Sequence, residues 1–165
     1  MKNASNHVRI RTLLLMLCAL GFSDVLLAQD KHIGVSISGA KLVFLNSECP
    51  DRPGEMGCVM AEHGSSPMIS WELSGPGSEQ WSFSGLRFSP APLQDCTVTD
   101  FGLSQADRQS GNASTAQIVS NGKRLQIRDR NTTRCITQYT ISAVSSDGRR
   151  ADSDPVIDNR GGGNR

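Results

Sequence analysis

Apolar and polar residues alternate along most of this chain with a period of two, the pattern of strands that bury one face. Ile33-Gly34-Val35-Ser36-Ile37 alternates, and Leu42-Val43-Phe44-Leu45 follows a turn at Gly39. In Met68-Ile69-Ser70-Trp71-Glu72-Leu73, the residues Ile69, Trp71 and Leu73 share a face before Gly75-Pro76-Gly77 ends the run. Trp81-Ser82-Phe83 resumes the pattern, Leu86-Arg87-Phe88 continues it past Gly85, and Pro90 and Pro92 break it. Cys96-Thr97-Val98-Thr99-Asp100-Phe101 predicts a further strand whose shift of face suits a bulge. Residues 116–120 and 123–128 flank Asn121-Gly122, the pair that supplies two positive φ angles to a type I′ hairpin turn. A long strand over residues 135–144, a turn at Asp147-Gly148 and a last short strand at Val156-Ile157 complete the series. No stretch carries a helical stripe, and the polar run 105–115 reads as a surface loop. About seven to eight strands at this spacing predict an all-β, antiparallel sandwich.

The first 28 of the 165 residues do not fit that pattern. Lys2, Arg9 and Arg11 precede an apolar run from Leu13 to Phe22, which Asp24 interrupts before it is long enough to span a bilayer. This is the layout of an export signal, with cleavage expected after Ala28 and Ser23 as the alternative. Lipidation at Cys18 is the competing reading, against which stand Leu17 before it and a short apolar run. The expected organisation is a signal peptide over 1–28, a domain over 29–160 and a frayed tail over 161–165. Removing the signal leaves 14 basic and 15 acidic residues, so the domain is near neutral. That balance speaks against nucleic acid as a partner.

An exported domain changes the meaning of its cysteines. Cys49, Cys58, Cys96 and Cys135 remain after cleavage, an even set that reads as two disulfides with three possible connectivities. The favoured pairing joins Cys49 to Cys58, stapling a loop rich in Pro and Gly, and Cys96 to Cys135. In the chain-entropy model the longer closure contributes roughly 3–4 kcal/mol. Free buried thiols are the alternative.

Tyr139-Thr140-Ile141-Ser142-Ala143-Val144, the Asp147-Gly148 turn and Asp154-Pro155-Val156-Ile157-Asp158-Asn159 together resemble the closing hairpin of the bacterial DP-EP family. Trp81-Ser82-Phe83-Ser84-Gly85-Leu86 is similar to an earlier strand of such domains. The resemblance covers about a third of the domain. It implies a small immunoglobulin-like β-sandwich with no catalytic residues to carry over.

Candidate chemistry is sparse. His32 and His63 lie in no His-Glu-x-x-His motif, and the chain has no Gly-x-Ser-x-Gly elbow, so no enzyme and no cofactor are expected. Cys49, Cys58 and His63 lack zinc spacing. Asp152, Asp154 and Asp158 gather near a strand end where calcium would find oxygen ligands, or where a solvated turn would simply place them. Trp71 and Trp81 alternate with core residues, which favours burial over sugar stacking. Lys123-Arg124 and Arg128-Asp129-Arg130 read as a charged edge strand. Asn112-Ala113-Ser114 and Asn131-Thr132-Thr133 match glycosylation sequons.

The stapled loop, with Asp51, Arg52 and Glu55, remains as the candidate partner surface. The expectation is a periplasmic or secreted binding or structural module of the cell envelope, with a protein or envelope component as partner and no transmembrane segment after cleavage. The alternative is a small inhibitor of a hydrolase acting through that loop.

Overall fold

A computed structural model describes residues 29–49, 52 and 54–161. The expected signal segment, Pro50, Asp51, Pro53 and residues 162–165 lie outside the described residues. Ten strands form one mixed sheet: β1 (Lys31–Ser38), β2 (Lys41–Phe44), β3 (Val59–Glu62), β4 (Met68–Leu73), β5 (Trp81–Ser89), β6 (Gln117–Val119), β7 (Arg124–Arg128), β8 (Ile136–Ser145), β9 (Arg150–Ser153) and β10 (Val156–Gly161). The order is β3-β10-β8-β9-β2-β1-β4-β7-β6, with β5 on the other side of β8. A single pairing, Lys41 with Asp152, joins β2 to β9 and so links two halves of the sheet.

The alternation explains which faces turn inward. Ile33 and Val35 of β1, Ile69 and Trp71 of β4, Leu125 and Ile127 of β7, and Tyr139, Ile141 and Ala143 of β8 are all buried. In β5 the parity changes, since Trp81 and Phe83 are buried at odd positions but Leu86 and Phe88 at even ones. A bulge between Phe83 and Gly85 makes this possible: one extra residue returns Leu86 and Phe88 to the core face. Strands β9 and β10 share one continuous register along β8, Ser153 opposite Ile141 and Val156 opposite Gln138. Only Asp154-Pro155 divides them. Pro155 has no N–H to give the ladder, yet its carbonyl accepts the Tyr139 N–H at 3.0 Å.

The two halves face each other across one core. Trp71 of β4 donates its indole N–H to the Tyr139 hydroxyl of β8 at 2.9 Å, and the rings lie 5.1 Å apart. The Tyr139 hydroxyl in turn donates to the Gly57 carbonyl at 2.8 Å. Burial drives the phenol well above its ordinary pKa, so it stays a donor.

Three features depart from the expected antiparallel, seven- to eight-strand sandwich. First, β1 with β4, β3 with β10 and β2 with β9 pair in parallel. Second, β3 and β9, four residues each, were too short to stand out by alternation. Third, the predicted strand over 96–101 is a helix, α1 (Asp95–Phe101), and the predicted loop holds a second, α2 (Gln105–Ser110). Thr97, Asp100 and Phe101 are the buried positions of α1, a spacing of three and four that the β-branched alternation concealed. Ser104 caps α2 in a reciprocal box with Asp107, and Gly102 and Gly111 end the two helices in the left-handed region.

The Asn121-Gly122 hairpin forms between β6 and β7, with φ of 53° and 82° and a closing bond from Lys123 N–H to the Ser120 carbonyl. Strand β7 lies between β4 and β6, so the basic residues do not mark an edge strand. Lys123 instead donates to the carbonyls of Ser78, Glu79 and Trp81, and Arg124 pairs with Glu72 at 3.2 Å. Tyr139→Phe strands both the Trp71 N–H and the Gly57 carbonyl. It is expected to cost about 2–3 kcal/mol in urea unfolding, whereas a loss under about 0.5 kcal/mol would show that the relay is not structural.

Candidate functional site

The cysteines pair as expected, Cys49 with Cys58 and Cys96 with Cys135, at Cα separations of 5.6 and 6.3 Å. The first pair closes a loop whose ends are bonded to the fold at several points. Glu48 N–H donates to the Cys58 carbonyl at 2.8 Å, and Gly57 N–H to the Asn46 carbonyl at 3.0 Å. Asn46 substitutes for the strand that β2 no longer provides: its amide donates to the His32 carbonyl and accepts the Gly34 N–H. Gly57, at φ 79°, lies on the Phe44 ring, where a Cβ would come within 2.6 Å of a ring carbon. Only glycine fits there.

Of the three candidate loop residues, Asp51 lies outside the described residues. Arg52 and Glu55 come together at 3.0 Å, and the Arg52 guanidinium also reaches the buried Asp158 carboxylate at 3.6 Å. Arg52 is thus turned towards the fold, with its side chain 27% exposed.

Next to the loop is a buried polar cluster that three separate segments supply. Asp100 comes from α1, Asp129 and Asn131 from the connection between β7 and β8, and Asn159 from β10; all are fully or almost fully buried. Asp100 accepts from the N–H and hydroxyl of Thr132 at 2.8 and 2.7 Å, from the Thr133 hydroxyl at 2.7 Å and from Asn159 at 3.2 Å. The Asp129 Oδ1 atom accepts from the Asn131 N–H at 2.9 Å and from the same Asn159 amide at 3.2 Å. Burial foremost, with the neighbouring Asp100 charge adding to it, pushes Asp129 up to about 7 against the hydrogen bonds from Asn131 and Asn159. Asn131 adopts φ 40° and donates its side-chain amide to the Glu62 carbonyl.

The remaining candidates are dispersed. Asp152 and Asp154 are exposed and line an open groove with Arg87 and Arg150, where Thr140 donates to Asp154 at 2.5 Å. Asp158 is buried elsewhere beside Arg52, so the three aspartates do not converge as calcium ligands would. Among the described residues no group of three or more His, Cys, Asp and Glu side chains is placed to hold a metal ion. His32 and His63 are exposed on separate segments. Trp71 and Trp81 are core residues. The sequon asparagine Asn131 is fully buried, while Asn112 is exposed.

No family model and no curated protein matches the chain. Among solved structures, a bradyzoite-specific antigen, BSR4, of Toxoplasma gondii is similar over 76% of this chain, at 10% identity and a TM-score of 0.35. This chain spans 50% of that antigen's length. Similarity of this degree defines neither a shared fold nor a shared function.

The polar cluster had no signature in the sequence, because Asp129 sits between two arginines and resembles a surface charge. Its energetic weight is testable against that of the loop. Asn159→Leu removes the donor that two carboxylates share and is expected to cost about 2–3 kcal/mol in urea unfolding. Glu55→Ala loses a partly exposed pair with Arg52 and is expected to cost less than about 1 kcal/mol. Equal costs would contradict this ranking.

Proposed function

We propose that the chain is an exported, non-enzymatic sandwich module of the cell envelope or its surroundings, which binds a protein partner through the stapled-loop end. The observation that carries this reading is where the apolar surface lies. Among the described residues, the large apolar side chains with substantial exposure are Val43 (41%), Leu45 (53%), Met56 (45%) and Ile118 (44%). Three of the four belong to the stapled-loop end. Phe44 is buried between Val43 and Leu45, so those two face outward, and Leu45 continues the ladder through its N–H to the Gly34 carbonyl at 2.8 Å. Met56 belongs to the stapled loop itself, next to Gly57, whose N–H is bonded to the Asn46 carbonyl.

The charges at this end of the domain are balanced in pairs, Lys31 with Glu48 at 3.2 Å and Arg52 with Glu55. An apolar patch on a domain end whose charges balance suits a protein surface better than a polyanion. The disulfide and the backbone bonds of Glu48, Gly57 and Cys58 fix the two ends of the loop before binding, which lowers the entropy lost on association. Two disulfides and the leader pattern support an oxidising compartment, and no helix among the described residues is long and apolar enough to cross a membrane. The immunoglobulin-like relationship that the DP-EP resemblance implies is part of this reading. It draws its support from the β8–β9 hairpin and the face-to-face core. The inhibitor alternative draws less support, since Arg52 is held by Glu55 and Asp158 rather than projecting into solvent.

The test is capture from envelope and culture fractions by the oxidised domain, beside a Leu45→Ser/Met56→Ser variant and a Cys49→Ser/Cys58→Ser variant. Both variants are expected to retain about a tenth or less of the captured partner, with the fold unchanged by circular dichroism. Equal capture by all three proteins would overturn the assignment of the surface.

A further inference from the structure

The buried cluster of Asp100, Asp129, Asn131 and Asn159 has an excess of acceptors. Asp129 Oδ2, Asn131 Oδ1 and Asn159 Oδ1 are all buried without a hydrogen-bond partner. The two amides cannot be turned over to relieve this. The Asn159 nitrogen faces both carboxylates and the Asn131 nitrogen faces the Glu62 carbonyl, so either flip would set oxygen against oxygen. An ionised carboxylate and two amide oxygens only accept, and three acceptors cannot satisfy one another.

Charge tells the same story. Asp100 and Asp129 share one neutral amide, and among the described residues no ion pair reaches either carboxylate. The cations nearby are engaged elsewhere. Arg52 faces Asp158, the Arg130 guanidinium lies over Gly102 at the end of α1, and Arg128 donates to the Ser66 carbonyl. From β3, Glu62 offers only its carbonyl, and the segment before β4 offers the Pro67 carbonyl. His63 and Arg134 are exposed. Asp100 receives four donors, whereas Asp129 receives two, both on Oδ1.

We propose that Asp129 is held in the fold as a neutral carboxylic acid, its Oδ2 hydroxyl donating to the side-chain oxygen of Asn131 or Asn159, which makes this corner a proton-sensing lock. Oδ1 then serves as the carbonyl oxygen, and one proton supplies the missing donor while removing the second buried charge. The lock joins α1, β10, the end of β3 and the connection into β8, and it adjoins the stapled loop through Asp158 and Arg52. The direction follows from linkage. A carboxyl whose folded pKa lies near 7 binds its proton in the native state at a pH where the unfolded chain has released it. Its stabilisation is therefore complete below about pH 4 and is lost as the pH rises through about 7. The corner tightens in mild acid and loosens towards alkaline pH.

Asp129→Asn tests this directly, because the amide keeps the accepting Oδ1 and places two N–H donors where the proton acts. Urea midpoints of the oxidised domain are compared from about pH 5 to about pH 8. The wild type is expected to lose at least about tenfold in its folding equilibrium relative to the variant across that range, and the variant is expected to be at least as stable at the upper end. A variant that is less stable by the same factor at every pH would overturn the proposal, since an ionised Asp129 would then be what the fold requires. Should the variant fail to fold, the carboxyl carbon shift of Asp129 in the wild type decides. A titration midpoint near neutrality supports the lock, and one below about pH 5 overturns it.

Discussion

The hydrogen-bond chain from Trp71 through Tyr139 to Gly57 is the constraint on which the other parts depend. Each half of the sheet buries one face, and either could slide on the other if contact were purely apolar, because dispersion and the hydrophobic effect carry little direction. Two polar groups in that interface remove the freedom. The Trp71 N–H has to find an acceptor and the Tyr139 hydroxyl has to find both partners, so β4, β8 and the stapled loop can meet in only one register. The loop is thereby part of the core. Its Gly57 supplies the last acceptor of the chain and, having no Cβ, lets the Phe44 ring approach.

The second constraint adjoins the loop through Arg52 and Asp158 and has a different character. The Trp–Tyr relay is fully satisfied and insensitive to pH over any physiological range. The Asp100–Asp129 cluster holds two carboxyl groups in a volume that can tolerate one charge. Burial of polar groups is costly unless partners are complete, and this cluster completes them in one protonation state only. A domain with a small aromatic complement thus relies on polar burial to position α1 and its last strand. The disulfide between Cys96 and Cys135 fastens the same region covalently, joining α1 to the start of β8.

Much of the sheet was legible in the sequence because period-two alternation reports directly on a half-buried strand. Ile69, Trp71 and Leu73, or Leu125 and Ile127, announce their own faces. The bulge in β5 was not predicted, although the parity of buried residues changes on either side of Gly85, and the bulge that was expected at residues 96–101 falls in helix α1. The cysteine pairing was legible from compartment and loop length. What alternation could not report was partnership. Parallel pairing of β1 with β4 is a non-local choice that no residue in either strand encodes alone. Helix α1 was hidden because Thr97, Val98 and Thr99 favour strands, and their helical conformation comes from burying Thr97, Asp100 and Phe101 together. The cap of α2 was present in the chain as Ser104, Asp107 and Gly111, and it was outweighed by the polar composition around it. The buried cluster was least legible of all, since Asp100, Asp129, Asn131 and Asn159 come together only through the fold.

The two ends of the stapled loop, at Glu48 and at Gly57-Cys58, are a rigid extension of the core rather than a cross-linked but mobile surface segment. Native-state amide hydrogen exchange on the oxidised protein tests this most directly. The amides of Glu48, Gly57 and Cys58 donate to backbone carbonyls, so they are expected to exchange nearly as slowly as those of β4 and β8. Exchange at those three amides as fast as in an open loop, with β4 and β8 still protected, would show that the loop's ends open independently of the core.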